Sequence, residues 1–202
     1  TRSYLVKVQK TDKRWIDTTV AVQEVSPVDD IYTVTNQYQL AWIAQQWFYN
    51  HDDFSGKTIK IAADLNLAGR GWYPLGGVNS DNAVEPFAGT FVGDVNGGNA
   101  RITNLTVDES VIYKDLTAYS TNIAFFGTLA TQASVRNITL VSPVIVNECN
   151  AAVDPASTVA AGLVGVNNGI VSGCAVVHDG TDMYDSIFTS TGVIDPALGN
   201  AQ

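Results

Sequence analysis

Few residues in this chain have the types and spacing that chemistry requires. The two histidines each stand beside aspartate: His51 with Asp52 and Asp53, His178 with Asp179. A carboxylate that orients an imidazole supplies two members of a nucleophilic triad, and the serine would have to come from elsewhere in the fold. No spacing fixes such a serine, so both histidines read first as loop residues and no catalytic residue is assigned. Asp179, Asp182 and Asp185 put three hard oxygen ligands on one short stretch and are candidate calcium ligands if that loop folds back. The run "DVNGGN", Asp94 to Asn99, opens like a calcium loop, but Leu105 stands at the twelfth position, where a bidentate glutamate belongs. It reads as a turn.

Two further sets of residues invite a binding interpretation. In "AGLVGVNNGIVSGCAVV", residues 161–177, Gly162 and Gly165 have the look of a phosphate cradle, yet no Lys-Ser/Thr pair follows and no helix is expected behind them. Tight corners and close strand approach explain these glycines better. Aromatic residues cluster at 42–49 and 72–73. Trp42, Tyr49 and Tyr73 are the candidate sugar contacts, because an aromatic face stacks on a sugar ring, whereas Trp47 belongs to the apolar side of a helix. No cofactor site is read.

Composition narrows the partners. The chain has 202 residues, of which 46% are apolar, enough to fill a core without metal or disulfide support. Residues 1–14 carry five basic and one acidic side chain, a charge of +4, and the remaining six basic and nineteen acidic groups leave −13 on the rest. A body that acidic repels a phosphate backbone, so a nucleic-acid partner is not expected. No apolar run reaches the roughly eighteen residues of a membrane-spanning helix, so no transmembrane segment is expected. The first residues lack the apolar core of a secretory signal, which fits a cytoplasmic protein or an exported one in mature form.

Positioning elements follow from periodicity. "YLVKVQK" and "WIDTTVAVQEV" alternate at period two and predict a short β-rich leading segment. Pro27 with Asp29 and Asp30 marks a linker, giving a division into residues 1–30 and 31–202. Leu40, Ile43, Ala44 and Trp47 fall at i, i+3, i+4 and i+7, predicting a capping helix over about 36–49 with Thr35 or Asn36 as N-cap.

Beyond residue 56 the chain repeats. "ITNLTV" from Ile102, "VRNITL" from Val135 and "VSGCAV" from Val171 all have apolar first, fourth and sixth positions, so Leu105, Ile138 and Cys174 should share one column. The third position is Asn104, Asn137 or Gly173, types that tolerate a left-handed corner. Each is preceded by an apolar strand with glycine third, around Gly89, Gly127 and Gly165. Stacking such units buries apolar sides that none can bury alone. The expected fold is mainly β: a right-handed parallel β-helix with an N-terminal capping helix. Cys149 precedes Cys174 by 25 residues, about one coil, leaving a disulfide or two buried thiols open.

The stretch containing Gly162, Gly165, Asn167, Gly169 and Cys174 resembles the GLUG repeat. Asp64 to Leu67, Trp72 with Pro74 to Gly76, and Phe87 to Leu105 resemble the segment that leads such repeats, so the resemblance covers about residues 31–177. It implies a parallel β-helix on an exported, extracellular or cell-surface protein, some members being lipid-anchored at the outer membrane. The implied role is an adhesin-like or display module whose partner is a glycan or a surface protein, alongside other modules of a longer chain. In that setting "DTT" and "DSI" resemble O-glycan acceptors at Thr18 and Ser186. A carbohydrate-active β-helix enzyme or its accessory domain is the alternative, although outward positions such as Thr103, Arg136 and Ser172 offer no paired carboxylates. A spacer from a longer fibrous protein is the third reading.

Overall fold

The computed structural model describes residues 13–108, 111, 122–147, 159–179 and 187–190. β1 (Ile31–Val34) leads into α1 (Gln37–Asn50), then β2 (Thr58–Ile61) and β3 (Leu65–Asn66). The next pass holds β4 (Thr90–Gly93), β5 (Ala100–Thr103) and β6 (Thr106–Asp108). After it come β7 (Asn122–Ile123), β8 (Phe126–Leu129), β9 (Ser134–Arg136), β10 (Ile138–Val141) and β11 (Val144–Asn147). The last pass holds β12 (Val159–Ala160), β13 (Val164–Asn167), β14 (Ile170–Ser172), β15 (Ala175–Val177) and β16 (Ile187–Ser190).

The protein is mainly β, and all pairing between these strands is parallel. A parallel neighbour needs a crossover rather than a hairpin, so each strand pairs with one from the previous pass of the chain. One sheet runs β1-β2-β4-β9-β14, a second β15-β10-β5-β3 and a third β16-β11-β6. Register places Tyr32, Ile59, Phe91, Val135 and Val171 in one line across the first sheet. Leu65, Ile102, Leu140 and Val176 form the corresponding line in the second. In both lines the members before the last pass are buried, each such side chain contributing roughly 1.5–3 kcal/mol.

These registers correct the phase of the repeat. Ile102 faces Leu140, not Val135, and Val135 faces Phe91. Ile138 sits beside Ala100, and Cys174 falls next to it in the register that pairs Thr139 with Ala175. Leu105 lies one corner further along, where its carbonyl accepts the Val144 N–H at 2.8 Å. The expected column of Leu105, Ile138 and Cys174 therefore does not form. The cause is that each pass bends twice with the same signature. Asn137 and Gly173 turn one corner, with φ of 56° and 62°, whereas Asn104 turns the next, with φ of 53°, and its counterpart there is Ser142 at 48°. The wide turn Asp94–Asn99 takes the place of a single corner residue in the pass before.

The same shift moves the glycine column. Leu75 bridges Phe126, and Phe126 pairs with Val164, so Gly76, Gly127 and Gly165 are neighbours. A Cβ on Gly165 would stand 2.8 Å from the Gly127 carbonyl, and one on Gly127 would stand 2.9 Å from that of Gly76. Gly89 is elsewhere, packed against Phe54, so "PLGG" and not "FAGTF" is the counterpart of "FFGT". Gly169 is excluded from carrying a side chain by the Ala133 and Ala130 carbonyls, and Gly162 rests on Val176. The glycine-rich stretch at 161–177 is β13, an Asx turn in which Asn167 accepts the Gly169 N–H, β14, a corner and β15. It is wall.

α1 starts one residue later than expected and is capped by Asn36, whose side chain accepts the N–H groups of Tyr38 and Gln39 at 3.0 Å. Its buried side, Leu40, Ala41, Ile43, Ala44, Trp47 and Phe48, joins the strand core. The leading segment departs from expectation. Residues 15–20 turn and residues 21–27 are irregular rather than a strand, while residues 1–12 of the expected leading segment lie outside the described residues. The Arg14 guanidinium and backbone N–H both grip the Asp17 carboxylate at 2.8 Å and close the first turn. Trp15, Ile16, Val20 and Val25 are buried, a spacing that no single strand face produces. They belong to the same core as the strands, so packing continues across the Pro27 turn.

Candidate functional site

The carboxylates nearest the histidines are committed to local structure. Asp52 holds Lys57 at 2.7 Å and Asp53 accepts the Ser55 N–H at 2.8 Å. His51 closes the helix in a left-handed conformation, with φ of 56°. Its Nδ1 meets the Asn79 amide at 2.8 Å, while Glu85 and Asp81 each stand at 3.4 Å. Asn79, itself buried, also accepts the N–H groups of Asp81 and Ala83, so this cluster anchors the 79–85 loop against the helix end. No serine hydroxyl joins it among the described hydrogen bonds of His51.

Asp94 is likewise spoken for. Lys60 reaches its Oδ2 at 2.6 Å, and the Gly97 N–H reaches Oδ1 at 3.2 Å. The hydrogen bond from Lys60 first, then its charge, then the Gly97 N–H hold the Asp94 carboxyl below its ordinary range. A lowered carboxylate pKa stabilises the fold above the ordinary range, and that contribution disappears as pH falls through the lowered value. Lys60→Met should return the Asp94 titration midpoint upward, read by carbonyl NMR. An unmoved midpoint would mean that the pair does not form in solution.

Among the described residues no group of three metal-ligating side chains converges. Of the candidate calcium ligands, Asp179 lies after β15, its N–H directed at the Ser142 hydroxyl, and Asp182 and Asp185 lie outside the described residues. Cys174 is half-buried and its thiol points at the Ser172 and Val135 carbonyls, at 3.4 and 3.7 Å. Burial pushes this thiol's pKa up. Cys149, with which the sequence leaves a disulfide or two separate thiols open, lies outside the described residues, as does Ser186. Thr18 is exposed on the turn that Asp17 closes.

The aromatic candidates separate. Tyr73 is 1% exposed, its ring 4.8 Å from Phe48 and 6.1 Å from Trp47, so it offers no face to a sugar. That correction has a simple cause: residues 71–79 are all buried, and Tyr73 packs on Trp47 and Phe48 of the helix. Trp42 is partly covered and leans on Tyr32. Tyr49 remains 40% exposed, next to the Arg14–Asp17 pair; partial burial raises its phenol pKa, an effect Arg14 opposes and Asp17 reinforces.

Geometry adds a residue that the sequence reading missed. Tyr38, 42% exposed, is at i, Trp42 at i+4, Gln45 at i+7 and Tyr49 at i+11, so the four line one face of α1. Gln39, Gln46 and Asn50 flank them, and no residue of α1 is charged. The signal was present as a second period in "QYQLAWIAQQWFYN", offset from the buried one. Beneath this stripe the core residues fix the helix, and Gln45 is held by the Asp17 carbonyl at 3.4 Å. No helix of the described residues is long and apolar enough to cross a membrane. Comparison of the chain with protein-family models, with curated proteins and with solved structures gave no match to any of the three.

Proposed function

We propose that this chain is a non-catalytic surface module for adhesion or display, wound as a right-handed parallel β-helix of the GLUG type, extracellular or at the cell surface, with a neutral glycan as its ligand. The observation that carries the reading is the outer face of α1, which has no charged residue of its own and meets charge at the Arg14–Asp17 pair beside Tyr49. A sugar ring presents an apolar C–H face and a rim of hydroxyls. Tyr38, Trp42 and Tyr49 supply rings for the first, and Gln39, Gln45 and Gln46 supply amides that both donate and accept for the second. Charge would add desolvation cost without a partner on such a ligand. The parallel ladders beneath keep the platform rigid.

Neutral oligosaccharides on an array, followed by titration calorimetry, test this. Tyr49→Ala and Tyr38→Ala should each weaken binding about tenfold, the loss of roughly one ring-stacking contact. A folded chain that retains no glycan, or one whose binding ignores both substitutions, overturns the proposal. The spacer reading draws support from a separate observation: apolar lines that are fully buried up to β10 reach the surface in the last pass.

A further inference from the structure

We infer that the last pass of the chain is a self-association surface, on which a second copy docks end to end in a two-fold arrangement. The two sides of the strand stack are unlike. At the β1 side, α1 and the 13–25 segment cover the core. At the other side, Val171 is 37% and Val176 43% exposed, although Val135 and Leu140, their partners one strand away, are fully buried. Ile170, Val166 and Val159 are exposed there too. Among the described residues β14 and β15 are the terminal members of their sheets, so each has one row of backbone N–H and C=O groups that no described strand pairs.

Among the described residues this edge has none of the usual protective features. Proteins usually guard an open strand edge with lysine, proline or a bulge. Residues 159–177, which contain β12 to β15, have no charged side chain and no proline, in a chain whose net charge is −9. That charge distribution selects the occupant. Two copies of an acidic protein repel one another across every charged face, and the neutral apolar end is where that repulsion is least. Covering of the β1 side blocks a head-to-tail chain, so the contact must join like to like. A two-fold through β14 runs it antiparallel to its own copy, pairs the outward backbone groups and closes the assembly at two.

The full chain should sediment and scatter at twice the monomer mass, and the β14 amides should exchange more slowly as concentration rises. Val171→Lys, which buries a charge at the contact, should return the mass to that of one chain. Ile170→Lys guards against a folding failure, since Ile170 is the most exposed of these side chains and its loss leaves the core lines intact. It should give the same monomer with unchanged circular dichroism. Tyr49→Ala, at the opposite side, should leave the dimer alone. A monomer at every concentration overturns the inference, whether its β14 amides exchange freely or are protected by the chain's own remaining residues. So does a dimer that survives both lysine substitutions.

Discussion

Gly76→Ala is expected to lose on the order of 3 kcal/mol of unfolding free energy, combining left-handed strain with a backbone collision. Gly76 has φ of +80°, and a Cβ there would lie 2.1 Å from the Thr128 carbonyl oxygen and 2.8 Å from the Phe87 nitrogen. Both obstacles are main chain, Thr128 in the neighbouring β8 and Phe87 further along Gly76's own pass against that strand, and main chain cannot rotate away. Thr128 N–H donates to the Gly76 carbonyl at 2.9 Å, so separating the strands to admit the methyl group also breaks a ladder bond. Gly97→Ala is the matched control. Its φ is +81° but nothing lies within 4 Å of the added carbon, so strain acts alone, at about 1 kcal/mol. Urea midpoints at constant slope measure both. Equal losses at the two sites would show that conformation, and not close packing between passes, governs the glycines.

Trp72→Ala should be at least as damaging, about 3–5 kcal/mol for removal of a fully buried large aromatic. The indole lies flat on Phe125, with centroids 4.8 Å apart and planes 6° from parallel, and its N–H donates to the Phe125 carbonyl at 2.9 Å. Phe125 in turn meets Phe91 and Phe126 edge-on, so the vacancy opens at the centre of a ring cluster spanning three passes. Trp72→Phe keeps most of the stack and forfeits the hydrogen bond, a loss of about 1 kcal/mol. The Phe125 carbonyl then retains the Leu75 N–H at 3.3 Å. If the alanine variant unfolded at the parent's midpoint, the cluster would not be the keystone of these passes.

The helix and the left-handed corners at Asn104, Asn137 and Gly173 could be read from residue types, because each is decided within a few positions of sequence, whereas the corner at Ser142 could not. Phase could not. Asn104 and Asn137 stand third in segments with the same apolar pattern, and only pairing across passes tells that they turn different corners. A repeat search aligns like with like, and here like residues occur twice per pass. The leading segment failed differently: "WIDTTVAVQEV" alternates as a strand does, but the Arg14–Asp17 clamp and the anchoring of Trp15, whose indole N–H meets the Leu67 carbonyl at 3.2 Å, override that pattern. At the candidate site, Tyr49 was legible as an exposed ring and Tyr73 was not legible as a buried one. Its burial depends on packing against Trp47 and Phe48 of α1, a long-range event.

Parallel pairing between passes also sets how the chain acquires its shape. Phe91 and Val135 are 44 residues apart and Val135 and Val171 are 36 apart, so no rung of the ladder can close before a loop of that size has been drawn shut. Such closures are slow next to helix formation. The cheapest nucleus is at α1, where β1 and β2 meet across the shortest interval, 27 residues from Tyr32 to Ile59, with the helix itself as part of the bridge. Refolding then advances as a zipper whose template is always the strand laid down last, and the nascent chain, emerging from its amino end, meets that template in the right order.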